Sequence, residues 1–236
     1  MIAKGTEKAR SMTARGKRRE GGITISGPAP LKQVMDKELW KEGRAKIAAA
    51  ALPLFLRYGF HATPVRVIAH SAGISSGSVF NYFSGKDEIL EMILDESQAA
   101  AERALEDTQH TLHTLSARRS ADPVELFVDV YRRYAEAIDA IRRYTLLAYQ
   151  EVKSLAADKR SPLFDRERRI ADLLKAAAEP AIAAGVFSRD AIDLKVQSLI
   201  VLAHAWAVRH WAWGQYARFS DYLDDLAKVA VSIMKA

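Results

Sequence analysis

Thr63-Pro64-Val65-Arg66-Val67-Ile68-Ala69-His70-Ser71-Ala72-Gly73-Ile74-Ser75-Ser76-Gly77-Ser78-Val79-Phe80-Asn81-Tyr82-Phe83-Ser84-Gly85-Lys86 decides how this chain is read. Thr63 carries the side-chain oxygen of an N-cap, and Pro64 brings a helical φ to the first position, where its missing N–H costs nothing. Short helices are expected at 64–71 and 75–81, on either side of Ala72-Gly73-Ile74-Ser75. So tight a reversal favours a residue with no Cβ penalty at positive φ, and Gly73 is placed to supply it. The pair reads as a helix-turn-helix whose second helix would enter a DNA groove. That helix divides by chemistry. Ile74, Val79 and Phe83 are apolar and can hold it against its neighbours; Ser76, Gly77, Ser78 and Asn81 are small or polar and can approach base edges; Tyr82 and Lys86 can reach phosphates. Ser75 suits an N-cap better than a reader, and His61 and His70 read as surface residues.

Charge supports the same reading. The segment from Arg44 to Lys86 holds five basic side chains (Arg44, Lys46, Arg57, Arg66 and Lys86) and no Asp or Glu, in a chain that is 27% charged. Acids return at once with Asp87, Glu88, Glu91, Asp95 and Glu96. The N-terminus of the second short helix adds partial positive charge and free N–H groups.

Working outward, a helix over 38–58 puts Ile47, Ala51, Leu54 and Phe55 on one face and stops at Gly59. Downstream the apolar residues recur at three and four, with no alternating run of strand length. Ser84-Gly85-Lys86-Asp87 has the capping-box pattern, Asp122-Pro123-Val124-Glu125 and Ser161-Pro162 are helix starts, and Ser188 can cap a helix after Gly185 ends the one before. Further helices are thus expected at 85–116, 123–140, 142–157, 162–184, 189–214 and 219–235. The fold class is all-α: an N-terminal three-helix DNA-binding domain at 38–96 and a larger helical bundle at 97–236, nine helices in total.

From Phe60 to Leu90 the sequence resembles, almost throughout, the N-terminal motif of the tetracycline-repressor-like (TetR) family of transcriptional regulators. The resemblance implies a homodimer, one DNA half-site per subunit, and a divergent C-terminal domain that binds an effector. By position it implies Thr63 and Arg66 near the backbone and groove edge, Ser76 and Ser78 facing bases, and Tyr82 and Lys86 on phosphates. The family often has Tyr where this chain has Phe80; without that hydroxyl, Phe80 either meets a thymine methyl or packs.

In the bundle, Leu199-Ile200-Val201-Leu202-Ala203-His204-Ala205-Trp206-Ala207-Val208 is apolar nearly all round and must be covered on every side. A two-fold partner would cover the side its own bundle leaves bare, giving a four-helix homodimer interface through the last two helices; an amphipathic final helix with Tyr222, Leu226, Val229 and Ile233 on one face would complete it. Tyr131, Tyr134, Arg142, Tyr149, Trp206, Arg209 and Trp211 are candidates to line a pocket for an apolar ligand with an anionic head. Tyr149-Gln150-Glu151 and Arg209-His210-Trp211 loosely resemble regulators of that family that sense acyl thioesters of coenzyme A.

Composition sets the outer limits. The first 35 residues carry eight basic and two acidic side chains, which accounts for the whole formal net charge of +6. So basic a stretch with few apolar residues reads as a disordered arm at 1–37, either tracking phosphates or a minor groove, or a leader without that role. There is no cysteine, and no run of about 18 apolar residues or apolar signal region is evident, so a cytoplasmic protein without a membrane span is expected. No catalytic residues, metal or cofactor are expected: His110 and His113 stand three apart without a convincing third ligand, and no nucleophile elbow, phosphate loop or HExxH pattern occurs. The partners expected are double-stranded operator DNA and a small-molecule effector that releases it. Repression is expected rather than activation.

Overall fold

Every regular element among the described residues is helical. The structure is a computed structural model in which residues 37–117, 122–154, 157–213, 216 and 218–236 are described. The helices are α1 (Lys37–Tyr58), α2 (Val65–Ala72), α3 (Ser76–Val79), α4 (Lys86–Ser116), α5 (Pro123–Ala140), α6 (Arg142–Glu151), α7 (Ala157–Ala183), α8 (Ile192–Val208) and α9 (Phe219–Lys235), with 3₁₀ turns at Val152–Ser154 and His210–Ala212. The basic arm lies outside the described residues except for Lys37, which opens α1 rather than ending a linker.

Several starts and stops follow the local chemistry read from sequence. Asp122 accepts from the N–H groups of Val124 (2.7 Å) and Glu125 (3.3 Å), with Pro123 in the first turn. Ser75 caps α3 by accepting from Ser78 N–H at 3.0 Å. Gly73 sits at φ 69° between α2 and α3, as so tight a turn requires.

Other boundaries differ. Thr63 does not cap α2; Pro64 holds that position, and the Thr63 hydroxyl donates back to Gly59 O (2.8 Å). The expected capping box does not form: Gly85, which has no side chain, is the N-cap of α4, and Glu88, three residues on, accepts from the N–H and hydroxyl of Ser84 ahead of it. The expected helix 142–157 ends at Glu151, and α7 begins at Ala157, with Pro162 in its second turn, where it removes a single backbone bond. Ser188 accepts from Asp190 N–H in a turn, while α8 starts only at Ile192, after Ala191 has adopted a left-handed φ of 50°. In α9 the buried line is Tyr222, Leu223, Leu226, Ala227, Ala230 and Met234, so Val229 stands on the outer side.

Residues 37–236 form one compact unit with two hydrophobic clusters. The first joins Ile47, Ala51 and Phe55 of α1 to Ile68, Val79, Phe83 and the start of α4, and takes in Leu147 from α6. The second fills the space among α5, α7, α8 and α9. Two elements serve both. Helix α4 runs unbroken from Ile89 and Ile93 in the first to Leu105 in the second, and the ten-residue α6 gives Leu147 to the first while packing against α8, which belongs to the second.

Candidate nucleic-acid interface and effector cavity

Helix α3 is short, and its attachment explains what it presents. Val79 and Phe83 are buried beneath it, whereas Ser76, Gly77 and Asn81 are exposed and Phe80 is 57% exposed. A large apolar ring held out in solvent beside small residues is not packing, which removes one of the two roles open to Phe80. A Cβ built on Gly77 would meet only Ser75 Oγ at 3.8 Å, so this part of the surface is open to a close approach. Ser78 is half-buried, with its hydroxyl 2.8 Å from that of Ser75.

The basic residues of the acid-free stretch divide into two groups. Arg66 and Lys46 are exposed, and Arg57 lies over the Tyr58 ring at 5.2 Å. Arg44 turns inward. Its Nη1 donates to Tyr82 O (2.8 Å) and Glu88 Oε1 (2.6 Å), and its guanidinium covers the rings of Phe83 (4.1 Å) and Trp40 (4.8 Å). The Glu88 carboxyl is held below its ordinary pKa by the Ser84 N–H and then by Arg44. Lys86, expected on a phosphate, donates to Phe60 O (2.8 Å) and His61 O (3.0 Å) and sits over the Phe60 ring, closing the loop between α1 and α2. A flexible cation finds those two carbonyls because the loop leaves them without helical partners. Thr63 is 1% exposed, so its side chain is no groove contact. Tyr82 is half-buried against Gly43 of α1, where a Cβ would fall 2.6 Å from the ring's Cζ.

A cavity of about 280 Å³ lies among α4, α5, α6, α7 and α8. Of the expected pocket residues only Tyr134 and Tyr149 line it. Tyr131 is buried behind it, donating to Leu199 O (2.8 Å). Arg142 pairs with Asp139 at the surface. Trp206 stacks in an aromatic cluster with Tyr222 and Phe219. Arg209 lies over Trp211, which is 78% exposed. Arg209 and Trp211 follow the end of α8 at Val208, where the chain changes direction, and do not line the cavity.

The polar end of the cavity holds residues that were not singled out. His204 of α8 is buried between two tyrosines, its Nε2 2.8 Å from the Tyr134 hydroxyl and its Nδ1 2.9 Å from that of Tyr149. Burial, reinforced by the Arg166 charge, pulls its pKa down to about 4, so the ring is neutral near pH 7. Both tyrosines are raised, first by burial and then by Glu167. Arg166 and Glu167 of α7 also line the cavity, and desolvation lowers the one and raises the other. A histidine inside an apolar helix was the available signal; Arg166 and Glu167 were hidden in a charged run that reads as solvated.

Helix α6 joins cavity to reading head. Thr145, Ala148 and Tyr149 line the cavity, while Leu147 is fully buried in the first cluster and the Glu151 carboxylate accepts from Phe60 N–H (3.3 Å). Phe60 therefore meets α6 through its N–H and Lys86 through its carbonyl.

A three-helix head with an exposed reading helix, carried on a larger helical body with an internal cavity, defines a helix-turn-helix DNA-binding protein. Residues 47–93 match the family model of bacterial regulatory proteins of the tetR family, and residues 120–212 match the tetracyclin repressor-like C-terminal domain. The chain is 32% identical over 209 residues, 86% of each chain, to the HTH-type transcriptional regulator HbdR of Aromatoleum sp. (strain CIB). It is 30% identical to the HTH-type transcriptional repressor KstR2 of Rhodococcus jostii (strain RHA1), over 71% of this chain and 78% of that one. A solved structure of AibR in complex with isovaleryl coenzyme A and operator DNA superposes with a TM-score of 0.60 at 16% identity, covering 82% of this chain and 98% of AibR. The chain belongs to the tetR family of bacterial transcriptional regulators. No helix among the described residues is long and apolar enough to cross a membrane.

Proposed function

We propose that the protein is a homodimeric repressor in the cytoplasm, with a reading head at 38–96 and an effector-binding and dimerisation domain at 97–236, and that a small-molecule effector releases it from a near-palindromic operator. The observation that carries this is the outward face of α3, where Phe80 stands in solvent among Ser76, Gly77 and Asn81 on a segment without acids. Arg66 and Tyr82 take the flanking phosphates, Phe80 meets a thymine methyl, and Ser76, Gly77, Ser78 and Asn81 lie against base edges. Lys86 and Thr63 shape the loop behind them. The role is regulatory, not enzymatic, in keeping with the family.

Dimerisation is supported by apolar side chains left bare on the last two helices: Leu194 and Val201 on α8, Val229 on α9. A partner's copies of these helices would cover them and set two reading helices one or more turns of DNA apart. The effector occupies the cavity, an apolar ligand with an anionic or acyl head; AibR, bound to isovaleryl coenzyme A and operator DNA, lends support. Helix α6 carries the message because a ligand that moves Tyr149 also moves Leu147 and Glu151.

Fluorescence anisotropy with the intergenic region upstream of the protein's own gene, against random DNA of equal length, tests the reading. A specificity ratio of about 10³ or more is expected at physiological salt. Equal binding to both would refute a sequence-specific regulator.

A further inference from the structure

The cavity has an apolar body and one polar end, and the polar end contains an unsatisfied cation. Nη1 of Arg166 is the one buried side-chain polar atom without a hydrogen-bond partner among the described residues. Leaving a guanidinium nitrogen unmatched where water cannot reach it costs free energy, because the lost hydration is not replaced. Glu102 is near enough to favour the charge but is ion-paired with Arg169, and Glu167 lines the same cavity without bonding to Nη1. The other polar groups here, Tyr134, His204 and Tyr149, satisfy one another and are uncharged near pH 7. Among the described residues, Arg166 is thus the only positive charge lining the cavity.

We propose that Arg166 is the receptor for an acyl oxygen, and that the cavity takes a compact apolar acyl group, presented as a free carboxylate or as a thioester, whose carbonyl or carboxylate oxygen pairs with the guanidinium. This rests on the reading of the cavity as the effector site. Guanidinium matches that chemistry: it offers planar donors to an sp² oxygen and stays charged in a partly dry site. Size limits the body. About 280 Å³ lies just below the usual range of ligand sites, about 300 to 1,000 Å³, so a short branched or single-ring acyl group fits while a nucleotide carrier does not. A carrier would have to leave by the side where Tyr149 and Phe164 both line the cavity and are about half-exposed. Tyr149 is then the residue that an incoming thioester must pass, and its hydrogen bond to His204 is the one it would disturb.

Isothermal titration calorimetry on the full chain without DNA tests this with three arms: isovalerate and cyclohexanecarboxylate, the coenzyme A thioesters of both acids, and the matched alcohols. Binding of the acids or the thioesters, with the alcohols weaker by about tenfold or more, is the expected result, and the tighter of the first two arms identifies the form carried. Arg166→Met should lower affinity for the binding arm about 10- to 100-fold and leave the alcohols unchanged. Because the variant removes an unmatched buried charge, its ligand-free melting temperature should equal or exceed that of the unaltered protein, which separates lost binding from lost folding. Undiminished affinity of Arg166→Met for the acid or thioester, absence of binding by every acid and thioester, or a clearly lowered melting temperature would each overturn the proposal. Operator binding measured separately stays intact in all of these cases, so their failure is distinct from failure of the DNA-binding reading.

Discussion

Arg44 belongs to the acid-free basic stretch and would be counted as a DNA contact by charge alone, yet it is built as a strut. Its side chain is 16% exposed and ties α1 to the end of the reading helix through Tyr82 O and Glu88. Replacing it with Met keeps the aliphatic length and deletes two charge-assisted hydrogen bonds and two ring contacts. Hydrogen bonds to charged groups contribute roughly 1.5–3 kcal/mol each when buried. Glu88 is 34% exposed, so the ion pair is discounted towards the value of a surface pair, about 1 kcal/mol or less. With the Tyr82 bond and the cover over Phe83 retained in the sum, Arg44→Met should cost about 2–3 kcal/mol. For a chain of this size that lowers the melting temperature by roughly 5–10 °C at fixed protein concentration.

Acid titration gives a second, independent readout. Glu88 has a depressed pKa in the folded protein, so its contribution is complete above the ordinary value of 4.5 and is lost as pH falls through the depressed one. In Arg44→Met the larger cause, the Ser84 N–H, remains, and the acid-side loss should shrink without vanishing. The measurement is thermal melting from pH 7 to pH 3, paired with operator affinity over a salt series. An unchanged melting temperature, together with a log–log salt slope shallower by about one, would identify Arg44 as a phosphate contact and refute the strut.

Gly77→Ala should leave melting unchanged or slightly raised, since the added methyl meets only Ser75 Oγ and Ala is the better helix former, while operator affinity in anisotropy falls at least tenfold; normal affinity would show that α3 does not approach DNA at Gly77. His204 has its folded pKa near 4 against an ordinary 6.5, so the unfolded chain takes up a proton first as pH falls. Stability should therefore be complete above pH 6.5, drop by about 3 kcal/mol between there and pH 4, and level off below, with denaturant midpoints in His204→Phe lacking that slope. Ala191→Gly relieves a left-handed Ala at the start of α8, worth about 1–2 kcal/mol before the entropy of glycine is subtracted, so a net gain of about 0.5–1 kcal/mol in urea unfolding is expected; a loss would mean that Ala191 makes contacts outweighing the strain.

The reading helix was legible because its signals are local. Gly73, Ser75 and the alternation of small and apolar residues from Ser76 to Phe83 act within one or two turns of chain. The direction of a long cation is not local. Arg44 and Lys86 stand in the basic stretch by number, but partners from 25 to 44 residues away, Phe60, His61, Tyr82 and Glu88, settle where they point. The lining of the cavity was hard to read for a related reason. Aromatic residues at helical spacing belong equally to a core, a surface or a cavity, and the end of α8 at Val208 sent Arg209 and Trp211 outward. Arg166 was illegible because Asp165-Arg166-Glu167-Arg168-Arg169 is charged at every position, and only the packing of α7 selects which of the five turns inward.

Helix α6 shows why the cavity and the reading head resist independent movement. Each residue advances about 100° around a helix, so Leu147 and Glu151, four apart, share one face, and Thr145, Ala148 and Tyr149 occupy the next. The first face is committed to the DNA-reading cluster and Phe60, the second to the cavity. A longer helix could bend and absorb a ligand at one end without disturbing the other. Ten residues make under three turns, with a 3₁₀ turn beginning directly after Glu151. Rotation that withdraws Tyr149 from His204 must also shift Leu147 in its packed site or lengthen the bond from Phe60 N–H to Glu151. Phe60 O is the carbonyl that Lys86 holds at the start of α4. Whatever enters the cavity is therefore coupled to the reading head by short, nearly incompressible packing, and the coupling energy is limited by what Leu147 and the Glu151 bond can store, on the order of 1–3 kcal/mol.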